Sequence, residues 1–133
     1  MSREKPCILV VDDEPSIRHL CQTILEHNGY RVMTAEDGVK AVDLYEKNNA
    51  AISLVLLDLS LPQLSGREVF AKIRELNSDA KIIICSAYIG ASGNDLIDSG
   101  ACAVIAKPFR PDELIKEIQS ALNGEALAGQ ANS

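Results

Sequence analysis

The chain has 133 residues, of which 47% are apolar and 24% charged, so it suits one globular domain able to bury a core without disulfides or a structural metal. Thirteen Lys and Arg stand against 19 Asp and Glu, for a net charge of −6, and Trp is absent. That balance argues against a nucleic-acid surface, an anionic-membrane surface or a base-stacking platform on this domain.

The start, residues 1–6, is polar, and the apolar run that follows, Cys7-Ile-Leu-Val-Val11, is too short for a signal peptide or a membrane span. A cytosolic protein is expected. Cys7, Cys21, Cys85 and Cys102 show no CxxC or metal-clip spacing and are expected to be reduced, three of them inside apolar runs. After this first strand, Pro15 opens a helix whose Ile17, Leu20, Cys21, Ile24 and Leu25 recur at helical spacing. Asn28-Gly29 stops it. A weaker strand covers residues 30–34. Asp37 caps a second helix carrying Val39, Val42, Leu44 and Tyr45. Residues 52–57 form a third strand, and Ser65-Gly-Arg-Glu68 reads as a capping box for a helix through Val69, Phe70, Ile73 and Leu76. A fourth strand at 81–85, a short helix at 94–99 and a fifth strand at 101–105 follow. Pro111 opens the last helix, with Leu114, Ile115, Ile118 and Leu122 on one face. Near-continuous apolar strands alternating with helices predict an α/β fold, a doubly wound parallel sheet of five strands with helices on both faces. Residues 1–124 form the expected domain, and 125–133 a flexible tail or linker stub.

In such a sheet the site lies beyond the carboxyl ends of the strands. The first strand ends in Asp12-Asp13-Glu14, the third in Asp58, the fourth in Ser86 and the fifth in Lys107-Pro108. With the first and third strands adjacent, the three aspartates converge. Converging carboxylates resist joint ionisation unless a cation joins them, and a hard divalent ion such as Mg²⁺ takes carboxylates together with phosphate oxygens. A lysine and a hydroxyl at the same rim suit a phosphoryl group. Each residue also has a plainer role: Asp12 and Asp13 as helix caps, Ser86 as a loop hydroxyl, Lys107 as a solvated charge before a proline. Their joint fall at four strand ends favours Mg²⁺-assisted phosphoryl chemistry. His19 and His27 are read as exposed helical residues. No Gly-rich phosphate loop is present.

The stretches Ile8-Leu-Val-Val-Asp-Asp-Glu14, Leu56-Leu-Asp-Leu-Ser-Leu-Pro-Gln-Leu-Ser-Gly66, Ile84-Cys-Ser-Ala87 and Ala106-Lys-Pro-Phe109 resemble, in order and spacing, the receiver domain of two-component response regulators. The resemblance runs from about residue 6 to residue 122. It implies a flavodoxin-like (βα)5 fold with strand order 2-1-3-4-5. It implies Asp58 as phosphoacceptor for a histidine kinase or histidine phosphotransfer protein. It also implies Asp13 as a direct Mg²⁺ ligand, Asp12 as the partner that holds metal-bound water, and Ser60 as a ligand through its backbone carbonyl. Ser86 matches the switch hydroxyl and Lys107 the phosphate-contacting lysine, with a cis Lys107–Pro108 bond. Phosphorylation would change a face near helix 4, strand 5 and helix 5, for a downstream protein effector, an appended output domain or a homodimer.

The chain departs from the family pattern at two places. Leu61 replaces a common Met, which conserves volume. Val104 stands where the family has an aromatic switch residue, and a Val has no ring to swing. Tyr88, close to Ser86, is a candidate screen for a phosphoryl group. Two other readings stand beside the switch. One is an interaction module independent of phosphorylation, which Val104 motivates. The other is a Mg²⁺-dependent phosphatase of the haloacid-dehalogenase type, although that class carries its nucleophile in an Asp-x-Asp pattern after strand 1 and this chain has adjacent Asp12-Asp13.

Overall fold

Apolar side chains on successive strand residues point to opposite faces, so a strand apolar throughout needs cover on both sides. The computed structural model, which describes residues 5–61, 63–87 and 94–123, satisfies this need with five parallel strands. They are β1 (Cys7–Val11), β2 (Arg31–Ala35), β3 (Ile52–Asp58), β4 (Ile82–Ser86) and β5 (Ala103–Ala106), in the order β2-β1-β3-β4-β5. The helices are α1 (Pro15–His27), α2 (Gly38–Asn48), α3 (Gly66–Leu76), α4 (Asn94–Asp98) and α5 (Pro111–Leu122). Both the fold class and the strand order agree with the sequence reading. Tyr88 and the tail at 125–133 lie outside the described residues.

Two cores result. Leu9, Val11, Val55, Leu57, Ile82 and Ile84 face one side and pack with Tyr45, Val69, Phe70, Ile73 and Leu96 of α2, α3 and α4. Ile8, Val10, Leu54, Leu56, Ile83 and Cys85 face the other and pack with Cys21, Leu25, Leu114 and Ile118 of α1 and α5. The apolar stripes are narrower than the spacing suggested. Leu20, Val39 and Leu76, which fit the helical spacing, are exposed. Cys7, Cys21 and Cys85 are buried, Cys102 is half-buried, and all four are free.

Element ends follow local bonds. Asp37 accepts from the Lys40 N–H at 2.8 Å, and Ser65 with Glu68 makes the expected capping box at 3.2 and 2.9 Å. β5 begins two residues later than its apolar run. The Ala101 N–H is taken by the Leu96 carbonyl at 2.8 Å, which closes α4 and holds Ala101 off the ladder. β3 and β4 extend to Asp58 and Ser86, so both residues are the last of their strands.

Gly66 sets how closely α3 can approach the end of β3. A Cβ there would lie 2.5 Å from the Asp58 carbonyl oxygen and 2.5 Å from Leu59 Cα, too close for any side chain. The Gly66 N–H also donates to the Leu59 carbonyl at 3.1 Å. Gly66→Ala is therefore expected to destabilise the fold by about 1–3 kcal/mol, as overpacking does. Urea unfolding should show a lower midpoint with an unchanged slope, and an unchanged midpoint would contradict this packing.

Candidate functional site

The register β1-β3-β4-β5 brings four strand ends to one edge. Asp12 and Asp13 follow β1, Asp58 ends β3, Ser86 ends β4 and Lys107 follows β5. One carboxylate oxygen from each of Asp12, Asp13 and Asp58 lies within 4.8 Å of the others. Asp12 and Asp58 are 3% and 6% exposed, and Asp13 is exposed. The sequence-predicted aspartates thus share one crevice, with a buried floor and an open side.

Lys107 ties the floor together. Its Nζ lies 2.7 Å from Asp12 Oδ2 and 3.3 Å from Asp58 Oδ2. The other oxygen of each carboxylate is held by the backbone. Asp12 Oδ1 accepts from the Glu14 N–H, and Asp58 Oδ1 from the Ser60 N–H, both at 3.0 Å. These bonds orient both side chains before any ligand arrives. Ser86 is 4% exposed, and its carbonyl accepts from the Lys107 N–H at 2.9 Å. The bond locks the loop carrying Lys107 to the end of β4. Ser60, two residues beyond Asp58, is exposed. The Lys107–Pro108 peptide is cis, as the resemblance implies.

The plainer roles can now be weighed. The residue capping α1 by position is Glu14, and no side chain bonds there, so neither Asp12 nor Asp13 is its N-cap. Asp12 still makes a local bond to Glu14, but its second oxygen belongs to Lys107. His19 and His27 are exposed on α1, as expected. Val104 pairs with Ile84 and packs half-buried against the core on the α2–α4 side.

Burial is the largest single influence on both Asp58 and Lys107. It raises the Asp58 carboxyl above its ordinary range, and nearby Asp12 adds to this, while the Ser60 N–H and Lys107 oppose it. Burial alone would lower Lys107, but its bond to Asp12 and the charges of Asp58 and Asp12 outweigh that, so its ammonium is raised and stays charged at neutral pH. Beneath them Cys21 is pushed up to about 11, by burial and then by Asp12, and Cys85 is raised by burial. Both are inert thiols at neutral pH.

Three hard oxygens within reach of one ion, one lysine and two pinned carboxylates fit a divalent cation of the Mg²⁺ type. One residue escaped the sequence reading. The guanidinium Nη1 of Arg18 donates to the Asp12 carbonyl at 2.8 Å. The signal available was a cation in the first helical turn, where the helix dipole disfavours positive charge.

A family model described as the response regulator receiver domain matches residues 8–119. Chemotaxis protein CheY of Bacillus subtilis (strain 168) is 36% identical over 118 residues, covering 87% of this chain and 97% of that protein. The probable transcriptional regulator ycf27 of Porphyridium aerugineum is 38% identical, covering 100% of this chain but only 54% of its own length. The chain thus spans about half of that regulator. Response regulator TrrA of Thermotoga maritima, solved in complex with Mg²⁺-BeF, is 40% identical, with a TM-score of 0.79 over 87% of this chain and 98% of that one.

A carboxyl whose folded pKa is raised lends its full stability below its unfolded pKa, and loses it as pH rises through the folded value. Ionised Asp58 therefore costs stability at neutral pH. Asp58→Asn mimics the protonated form. In chelator at pH 7 it should shift the urea midpoint upward, and this gain should shrink as pH falls into the ordinary carboxylate range. A lower midpoint at pH 7 would show that the Lys107 pairing outweighs burial.

Proposed function

The chain belongs to the response regulator receiver domain family, and on that premise we propose that it is a phosphorylation switch with Asp58 as acceptor. The observation that carries this reading is the buried Asp58 carboxylate held beside Lys107 at 3.3 Å, next to two further carboxylates. The donor is a histidine kinase or histidine phosphotransfer protein. Mg²⁺ would be held by Asp13, Asp58 and the Ser60 carbonyl, with Asp12 acting through water, and when bound it supplies positive charge to the phosphoryl oxygens. Asp58 Oδ attacks phosphorus in line, and the bond to the donor breaks with its electron pair leaving on the donor. Lys107 turns from the carboxylates toward the new phosphoryl oxygens. Ser86 donates its hydroxyl to another and draws the end of β4 with it. Water later cleaves the acyl phosphate, releasing inorganic phosphate and restoring the Asp58 carboxylate, so the domain acts as a resettable signal rather than a turnover enzyme.

The output is a shifted balance between two conformations, and a few kcal/mol of bias suffices to invert it. The surface around α4, β5 and α5 would carry it to an effector, an output domain or a second copy. Because Val104 fills the strand position with an aliphatic side chain packed on the core, transmission relies on the shift of Ser86 rather than on a rotating ring. Among the described residues no helix is long and apolar enough to cross a membrane. A cytoplasmic setting fits a kinase-fed switch.

Intact-mass spectrometry after incubation with a small phosphodonor tests the reading. Wild type with Mg²⁺ should gain one phosphoryl group, and Asp58→Asn or chelator should abolish the gain. Stoichiometric uptake by Asp58→Asn, or none by folded wild type, would contradict the assignment.

A further inference from the structure

Arg18 is the fourth residue of α1, a helix with no acidic residue in its first turn. A guanidinium there gains nothing from the helix dipole and stands close to the acidic cluster. Yet its partner is a backbone oxygen. Its Nη1 donates to the Asp12 carbonyl at 2.8 Å, while the Asp12 N–H donates to the Ala35 carbonyl at 3.2 Å. The backbone of Asp12 is thus tied on one side to the end of β2 and on the other to α1. Its side chain is tied to Glu14 and Lys107. Asp13, the next residue, is exposed, so burial does not fix its direction. The turn that carries it does.

We propose that Arg18 is a positioning residue for the cation site, holding the β1–α1 turn so that Asp12 and Asp13 face Asp58. This rests on the reading of the acidic crevice as a Mg²⁺ site. The sign of its effect separates positioning from simple charge. By Coulomb's law alone, deleting a cation beside a cation site tightens Mg²⁺ binding. A lost tether to the turn weakens it, and removal of groups that orient metal ligands costs tenfold or more. Arg18→Gln is therefore expected to bind Mg²⁺ about tenfold more weakly.

Isothermal titration of Mg²⁺ into the full chain tests this, with wild type, Asp13→Asn, Arg18→Gln and Arg18→Lys compared. Urea midpoints are measured on the same samples. Wild type should bind one ion at a site lost in Asp13→Asn. Arg18→Gln should bind more weakly with a midpoint near wild type, and Arg18→Lys, which keeps a donor, should recover part of the affinity. Binding by Arg18→Gln as tight as wild type or tighter overturns the proposal while leaving the Mg²⁺ reading intact. A weaker affinity matched by a large fall in midpoint, with no rescue by Arg18→Lys, makes Arg18 a fold residue and also overturns it. Wild type with no Asp13-dependent binding overturns the underlying reading and this proposal with it.

Discussion

Three carboxylates on one sheet edge repel one another, and burial makes the repulsion worse. Among the described residues the cation that bridges the two buried ones is Lys107, 95 residues from Asp12 along the chain. This long-range tie depends on strand order. Only with β1 beside β3, and β4 and β5 beyond, do Asp12, Asp58, Ser86 and Lys107 reach the same edge. The apolar strands supply the energy that holds the edge together, since each buries side chains in one or both cores. The site is thus an expense met by the whole fold, and two of its acids, Asp12 and Asp58, are held from solvent by the packing around them.

The loops complete what the sheet begins. Backbone N–H groups of Glu14 and Ser60 each occupy one oxygen of a buried carboxylate, leaving the other oxygen to Lys107. Gly66 allows the end of β3 and α3 to touch, and the capping box of Ser65 and Glu68 fixes where that helix starts. Each device acts on position rather than on charge. Together they fix the geometry of the crevice, and groups that need not move on arrival serve a charged ligand best.

The fold was legible because its strands are apolar throughout and its helices carry strong local stop and start signals. Pro15, Asp37, Ser65 with Glu68, and Pro111 all stand at or next to helix starts. The convergence of the acids was legible because parallel sheets place their strand ends on one side. The widths of the helix stripes were less legible. Leu20, Val39 and Leu76 satisfy helical spacing, but spacing does not say how far a neighbouring element reaches around a helix. The late start of β5 was hidden because the Ala101 N–H is spent on the end of α4, a bond that apolar patterning does not encode. Arg18 was missed for a related reason: its partner is a main-chain oxygen, and no side-chain motif marks it.

The most direct test of the central claim is a crystal structure of this chain with Mg²⁺ and beryllofluoride, the combination seen bound to the similar TrrA. The ion should sit on Asp13, Asp58 and the Ser60 carbonyl, with the beryllofluoride on Asp58. Lys107 Nζ should have left Asp12 for a fluoride, and the Ser86 hydroxyl should point at another. An ion bound elsewhere, or Lys107 still paired with Asp12 beside an unmodified Asp58, would contradict the account.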